Sequence, residues 1–111
     1  MTLFVERRLS LRVPIQCEVK YHYLSPGSNS PPLHTIDLSL GGARLESLDP
    51  LVPGASVWFY LIPSDKSIFE AGAQVAHREP GNQPPYRIGV RFTQLSHESR
   101  SIIAREIERA A

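Results

Sequence analysis

An arginine cluster near the start of the chain is the first feature whose residue types could do chemistry. Arg8 and Arg12 have the spacing R-x-x-x-R, and Arg7 directly precedes the pair. A guanidinium group presents a planar fork of donors that suits phosphates and the acceptor edge of guanine, and its plane can stack on a base. The cluster therefore has the chemistry to hold a phosphorylated nucleobase compound. The alternative is a set of solvated side chains.

A second motif follows about 25 residues later, with the spacing D-x-S-x-x-G at Asp37, Ser39 and Gly42. A carboxylate can accept N–H groups such as those of guanine N1 and N2, which arginine cannot do. Residues two apart in a strand point to the same face, so Ser39 is expected beside Asp37, either donating to a phosphate or holding the turn. Gly42, with Gly41 beside it, permits a positive φ or a close approach to the backbone. Alternatively, the motif only hydrogen-bonds a strand-to-turn junction.

Composition indicates one small globular domain. The chain has 111 residues, 41% of them hydrophobic, and a net charge of +1, which gives no global field for a nucleic acid polymer. A single cysteine, Cys17, excludes an internal disulfide and a multi-cysteine metal site, and the four histidines have no metal-ligand spacing. No stretch is long and apolar enough for a signal peptide or membrane span, so a cytoplasmic location is expected, without membrane insertion.

Hydrophobic periodicity predicts six short strands followed by one helix. The ten prolines argue against long helices. Strands are expected at 13–23, 34–38, 43–48, 57–62, 68–77 and 86–92, because apolar residues alternate there between turn signals. The fourth strand is apolar at every position, which predicts cover on both faces. Short strands with one apolar face each favour an antiparallel barrel closed on itself.

The last stretch changes to a helical period. Ser96 is a suitable N-cap, and Glu98 favours the first turn electrostatically. Ile102, Ile103 and Ile107 are expected to face the domain. The charged residues of this helix are expected to be largely solvated, namely Arg100, Arg105, Glu106, Glu108 and Arg109.

The two motifs in this order, on either side of the first predicted strand, resemble the ligand motif of PilZ domains, bacterial receptors for the second messenger cyclic di-GMP. The stretch 86–92 (YRIGVRF), with Leu95 and a helix after it, is similar to the family's usual ending. The resemblance covers nearly the whole chain. It implies an all-β fold, a six-stranded antiparallel β-barrel with a C-terminal α-helix.

The resemblance also implies a ligand site. Cyclic di-GMP is expected to be the ligand, with no other cofactor. An arginine directly before the R-x-x-x-R pair goes, in this family, with binding of an intercalated ligand dimer, so Arg7 implies two ligands per domain. The residues expected to bind are Arg7, Arg8, Arg12, Asp37, Ser39 and Gly42, and with less weight Gly41 and Arg78.

The same resemblance implies a receptor or adaptor and not an enzyme. Residues 1–12 are expected to form a flexible arm that carries the arginines, and residues 13–111 a single barrel domain. Ligand binding would order the arm on the barrel and signal to an unidentified partner protein. Two alternatives stay open: a PilZ-like protein-interaction module that binds no nucleotide, and a small barrel of the flavin-reductase or oligonucleotide-binding type.

Overall fold

The computed structural model describes residues 12–22, 32–48, 50–63 and 65–110. The strands within these residues are β1 (Glu18–His22), β2 (Pro32–Leu38), β3 (Gly42–Ser47), β4 (Ser56–Ile62), β5 (Phe69–Arg78) and β6 (Tyr86–Gln94). One helix, α1 (His97–Ala110), follows them. The strands form a closed barrel in the order β1-β2-β3-β6-β5-β4, with every pairing antiparallel. The predicted barrel with a C-terminal helix is therefore confirmed.

The barrel interior is filled by alternate residues of each strand. On β4, Val57, Phe59 and Leu61 are buried, and Ile88 and Val90 of β6 pack into the same core. Burying a side chain of this size contributes about 1.5–3 kcal/mol, so the alternation fixes the register. Cys17 is completely buried in this core, as the sequence predicts. Burial raises the pKa of its thiol to about 11.

The prediction starts the first strand too early, at residue 13. Regular β1 begins at Glu18, and Val13 makes only an isolated pair of hydrogen bonds with Leu38. Pro14 cannot donate to a ladder, so pairing stops there. The Thr35 hydroxyl bridges the gap: it donates to the Ile15 carbonyl at 2.6 Å and accepts the Cys17 amide at 2.8 Å. The end of the prediction, residue 23, lies outside the described residues.

The prediction that β4 is covered on both faces was wrong. Tyr60 is 37% exposed, and Trp58 is only half-buried on the same outer face. The Trp58 ring lies over Gly72 of β5, and its indole N–H donates to Glu70 Oε2 at 3.0 Å. The helix packs against β5, and its first turn shares only a concave surface with Tyr60, so the outer face of β4 is incompletely covered.

The helix begins as the sequence predicts. The Ser96 hydroxyl accepts the Ser99 amide at 3.0 Å, which is an N-cap. Ile102, Ile103 and Ile107 are buried against the barrel. The expectation for Glu106 was wrong: it is only 7% exposed, and it accepts from Arg109 Nη1 at 3.2 Å. At 14 residues, the helix in the described part of the chain is too short and too polar to cross a bilayer.

Candidate functional site

The candidate site lies on the outer face of four adjacent strands, β2, β3, β6 and β5. Arg44 stands between the buried residues Ala43 and Leu45, so its side chain points outward. The strand register aligns Asp37 of β2 with Arg44 of β3, and Arg44 with Gly89 of β6. Asp37, Arg44 and Gly89 therefore lie side by side on three neighbouring strands, in a row that begins near the end of β2.

Asp37 is the centre of an ionic group that we call the Asp37 cluster, consisting of Asp37, Arg12 and Arg44. Its Oδ1 accepts Arg12 Nη1 at 3.1 Å and the Arg44 amide at 3.3 Å, and its Oδ2 accepts Arg44 Nε at 2.7 Å. The Asp37 side chain is 9% exposed, against 50% for Arg12 and 38% for Arg44. The hydrogen bond and the charge of Asp37 raise the pKa of Arg44. The cluster joins the second arginine of R-x-x-x-R to the aspartate of the second motif.

The hydrogen-bonding capacity of Asp37 is nearly filled by these contacts. An ionised carboxylate offers about four acceptor sites, two on each oxygen. Oδ1 already accepts from two donors and Oδ2 from one. As far as the described residues show, the free capacity therefore lies on Oδ2, beside Arg44 Nε.

Ser39 holds the turn between β2 and β3. Its hydroxyl accepts the amides of Gly41 at 3.2 Å and Gly42 at 3.1 Å, and lies 3.1 Å from the Gly42 carbonyl, to which it donates. The Ser39 amide donates to the same carbonyl at 2.8 Å. The sequence leaves two roles for Ser39, donating to a phosphate or holding the turn. In the structure the Ser39 side chain holds the turn.

Gly42 is required by a close approach, but the approaching group is the protein's own strand. A Cβ on Gly42 would lie 2.1 Å from the Val90 carbonyl oxygen of β6. Its φ is not positive; among the glycines that the structure describes, Gly54 and Gly81 have positive φ. Gly41 accepts the Phe92 amide at 2.9 Å. Both glycines thus pin the β2–β3 turn against β6.

A concave surface of about 320 Å³ lies beside this turn. Gly41, Gly42 and Gly89 line it together with Arg12, His77 and Arg91, and the His77 ring lies over Gly89. The arginines supply positive charge, and the imidazole and guanidinium planes can stack on a planar group. The arrangement can hold an anionic ligand with a planar ring.

Comparison with known proteins identifies the family. A model of the PilZ domain family matches residues 6–109. The chain belongs to the PilZ domain family. Comparison with curated proteins finds no match.

Among solved structures, this PilZ domain is similar to the PilZ domain with c-di-GMP of YcgR from Escherichia coli. The two are 19% identical, with a TM-score of 0.72 over 90% of this chain and 88% of that chain. It is also similar to the inhibitor of motility MotI/DgrA of Bacillus subtilis, at 14% identity and a TM-score of 0.70, over 89% of this chain and 48% of that chain. At these identities the likeness shows the fold.

The structure gathers part of the predicted site. Arg12, Ser39, Gly41 and Gly42 border the same concavity, and Asp37 is bonded to Arg12. Arg7 and Arg8 lie outside the described residues, so their predicted roles stay predictions.

Arg78 is placed elsewhere on this PilZ domain. Its guanidinium carbon lies 5.5 Å from the centre of the Tyr86 ring, and it does not border the concavity. A cation over an aromatic face is a stabilising contact in its own right. A role for Arg78 in ligand binding therefore stays the lesser prediction that the sequence analysis made.

Three residues of this face were not among the predicted binding residues. Arg44 could have been found from the hairpin register, since a turn at Gly41 and Gly42 places it opposite Asp37. The signal for His77 is Gly89, because a glycine within a strand marks a close approach, and here the His77 ring lies over it. Arg91 alternates outward on β6 and donates to Gln74 Oε1 at 2.8 Å.

Proposed function

We propose that this PilZ domain binds cyclic di-GMP and signals to a partner protein. The observation that carries the proposal is the bond from Arg12 to Asp37 across 25 residues, at the edge of a concavity with a glycine floor. It joins the two halves of the family's ligand motif at one place on the barrel. The family is a receptor family for cyclic di-GMP, and the fold matches a member described with that ligand.

The chemistry of the ligand fits the residues of this face. Cyclic di-GMP carries two phosphodiesters and two guanines, so it needs cationic forks and an acceptor for guanine N–H groups. Arg8 and Arg12 supply the forks, and each well-formed bidentate contact contributes about 1–3 kcal/mol. Asp37 supplies the acceptor. Gly41 and Gly42 border the concavity in which the rings would lie.

Binding requires an exchange at Asp37. A guanine edge donates through N1 and N2 in parallel, so it needs one acceptor site on each carboxylate oxygen. Oδ2 has a site to offer, but Oδ1 is filled by Arg12 and the Arg44 amide. Arg12 is the more exposed donor and is not part of the barrel ladder. The ligand therefore displaces Arg12 from Asp37. The released Arg12 guanidinium then donates to a phosphate or to guanine O6 and N7.

The exchange gives residues 1–12 the role of an arm. Arg12 would change partner from the barrel to the ligand, and Arg7 and Arg8 would follow it onto the same face. Two ligands bind per domain, with Arg7 holding the second. The surface so ordered acts on a cytoplasmic partner protein, and the domain itself carries out no reaction.

Calorimetric titration with cyclic di-GMP tests the proposal. We expect micromolar or somewhat tighter binding, with a stoichiometry of two. Asp37→Ala and Arg8→Ala should each weaken it by about 10- to 100-fold, the loss of one bidentate contact. The matched controls are Asp65→Ala and Arg100→Ala, which remove the same groups at positions that do not line the concavity and should leave the affinity unchanged.

Three outcomes would count against parts of this proposal. Absence of heat at on the order of tens of micromolar ligand, well above the expected affinity, would reject the receptor function. Equal losses in Asp65→Ala and Asp37→Ala would reject the site. A stoichiometry of one would remove only the role of Arg7.

A protein-interaction module without nucleotide is the second candidate. It is favoured by the fact that Ser39 and Asp37 already make hydrogen bonds within the fold. The two functions differ in partner capture. A receptor should bind its partner to an extent that depends on cyclic di-GMP, whereas a simple interaction module should not respond to the nucleotide.

A further inference from the structure

A second concave surface, of about 330 Å³, lies between the outer face of β4 and the first turn of α1. Tyr60 and Ile68 line it, both are exposed, and Ile68 is exposed to 61%. Single exposed apolar residues are ordinary on a protein surface, whereas two that line one concavity favour a contact surface. We call this surface the Tyr60 face; it consists of Trp58, Tyr60, Ile68, Glu70 and Glu98.

The aromatic part of the Tyr60 face is held in place before any partner binds. The Trp58 ring packs over Gly72, where a Cβ would lie 2.7 Å from Trp58 Cζ3, and its indole N–H donates to Glu70 Oε2 at 3.0 Å. The strand register sets Glu70 directly opposite Tyr60. Glu70 is thus fixed beside Tyr60 by its bond to Trp58. A surface that is already ordered loses little conformational entropy when a partner binds.

The charged side chains that line this concavity are both acidic. They are Glu70 of β5 and Glu98 in the first turn of α1, and both are exposed. Among the residues that the structure describes, no arginine or lysine lines the surface. On the β1 side, the residues paired with Ile62 and Tyr60 are Glu18 and Lys20, which carry opposite charges. The negative charge therefore belongs to the side that faces α1.

A cation next to an apolar group is the chemistry that fits the Tyr60 face. A guanidinium or ammonium group can pair with the two carboxylates and lie over the Tyr60 ring, because the face of an aromatic ring attracts cations. An apolar side chain beside the cation can cover Ile68. Anions are disfavoured here, in contrast to the concavity beside the β2–β3 turn, which Arg12 and Arg91 line.

We propose that the Tyr60 face binds a segment of a partner protein in which an arginine or lysine adjoins an aromatic or aliphatic residue. The assignment of this segment to the partner of the receptor rests on the proposed function, whereas the recognition itself does not. The two concavities share no lining residue, so the partner segment and cyclic di-GMP can bind together. Strand β5 connects them, with Glu70 in one and His77 in the other.

Selection from a random peptide library on the immobilised wild-type domain, without cyclic di-GMP, tests the recognition. We expect the selected peptides to be enriched in arginine or lysine next to apolar residues. Trp58 is the only tryptophan of the chain, so its fluorescence reports on this face. Synthetic versions of the selected peptides that lack tryptophan can therefore be titrated by that signal.

Two matched pairs of variants locate the binding. Ile68→Ser should weaken peptide binding about tenfold through loss of the apolar contact, while Val52→Ser, also exposed to 61% but outside the concavity, should not. Glu98→Gln should weaken it about two- to fivefold, the range of an exposed ion pair. Glu108→Gln is exposed on the same helix outside the concavity and should bind as the wild type does.

Three results of these measurements would overturn the proposal: no selected peptide, selected peptides without cationic residues, or equal affinities for Ile68→Ser and Val52→Ser. A wild-type dimer in sedimentation equilibrium that Ile68→Ser dissociates would also overturn it, since the face would then bind a second copy of the chain. Calorimetry with cyclic di-GMP is independent of these results. If the wild type binds no nucleotide, the proposed function fails, and the peptide titrations still decide what the Tyr60 face recognises.

Discussion

Two places in the described part of the chain combine one aspartate with two arginines, and only one of them has the features of a ligand site. The first is the Asp37 cluster, which consists of Asp37, Arg12 and Arg44. The second, the Asp65 cluster, consists of Asp65, Arg105 and Arg109. Asp65 Oδ2 accepts Arg105 Nη2 at 3.0 Å and Arg109 Nη1 at 3.1 Å, and Oδ1 accepts the Ser67 hydroxyl at 2.6 Å. The distances are much the same in both clusters, so the ion pairs alone do not distinguish them.

The difference lies in where the arginines come from and what surrounds them. Arg105 and Arg109 lie four residues apart on one helix, so Asp65 ties the turn after β4 to α1 as one rigid unit. Arg12 and Arg44 belong to separate segments, and Arg12 can leave without disturbing a strand pairing. Only the Asp37 cluster adjoins a surface floored by glycines. A ligand site thus needs an exchangeable cation and open backbone, not merely the right charges.

The largest expected effect concerns that backbone. Gly42→Ala should cost at least about 3 kcal/mol of unfolding free energy, because its Cβ would lie 2.1 Å from the Val90 carbonyl oxygen, which the β3–β6 ladder holds in place. Urea denaturation measures the loss. The comparison would be weakened if Gly42→Ala were as stable as the wild type, since the floor would then not depend on glycine.

Gly89→Ala is the matched control. Its Cβ would meet the His77 ring, at 2.2 Å from Cε1, but a side chain can swing away. We expect a loss of about 1 kcal/mol or less, together with a changed His77 resonance by NMR. The two alanine variants therefore separate a glycine needed by the fold from one that shapes the candidate site.

The strands and the cap were predictable from the sequence because each depends on neighbours along the chain. The alternation of apolar and polar residues predicted the barrel strands, and Ser96 predicted the start of the helix. Glu106 was misplaced because its burial depends on where α1 lands on the barrel. Arg44 was missed for a similar reason: an outward arginine on one strand means little until the register shows which carboxylate lies opposite it. The ligand motif itself was recognisable because its two halves are short and ordered.

A middle-sized effect distinguishes the arginines of the two clusters. Arg109→Ala should destabilise the fold by about 1–3 kcal/mol, because Glu106 is buried and would lose its Arg109 donor. Arg12→Ala should cost less than about 1 kcal/mol, because Asp37 keeps both donors from Arg44. Urea denaturation of the two variants side by side is the measurement. A larger loss in Arg12→Ala would mean that Arg12 is structural, contrary to its proposed exchange.

The smallest effect is the pH dependence of the Asp65 cluster. Hydrogen bonds from Ser67, with help from Arg109 and Arg105, lower the pKa of Asp65 from its ordinary value of 3.8 to about 2. A carboxylate whose pKa is lower in the folded state stabilises the fold above the unfolded value and loses this contribution as the pH falls through the folded value. The stability difference between wild type and Asp65→Asn should therefore be constant above about pH 4 and shrink between 3.8 and about 2. Thermal unfolding at a series of pH values measures it.

A difference that stayed unchanged at the acid end of this range would show that Asp65→Asn acts through something other than charge, such as the shape of the turn. The same variant also sharpens the comparison at neutral pH. Because Arg105 and Arg109 come from one helix and border no open backbone, Asp65→Asn should loosen the contact of α1 with the turn and leave cyclic di-GMP affinity unchanged. A changed affinity would mean that the two clusters communicate through the barrel, and that the helix takes part in the response to the ligand.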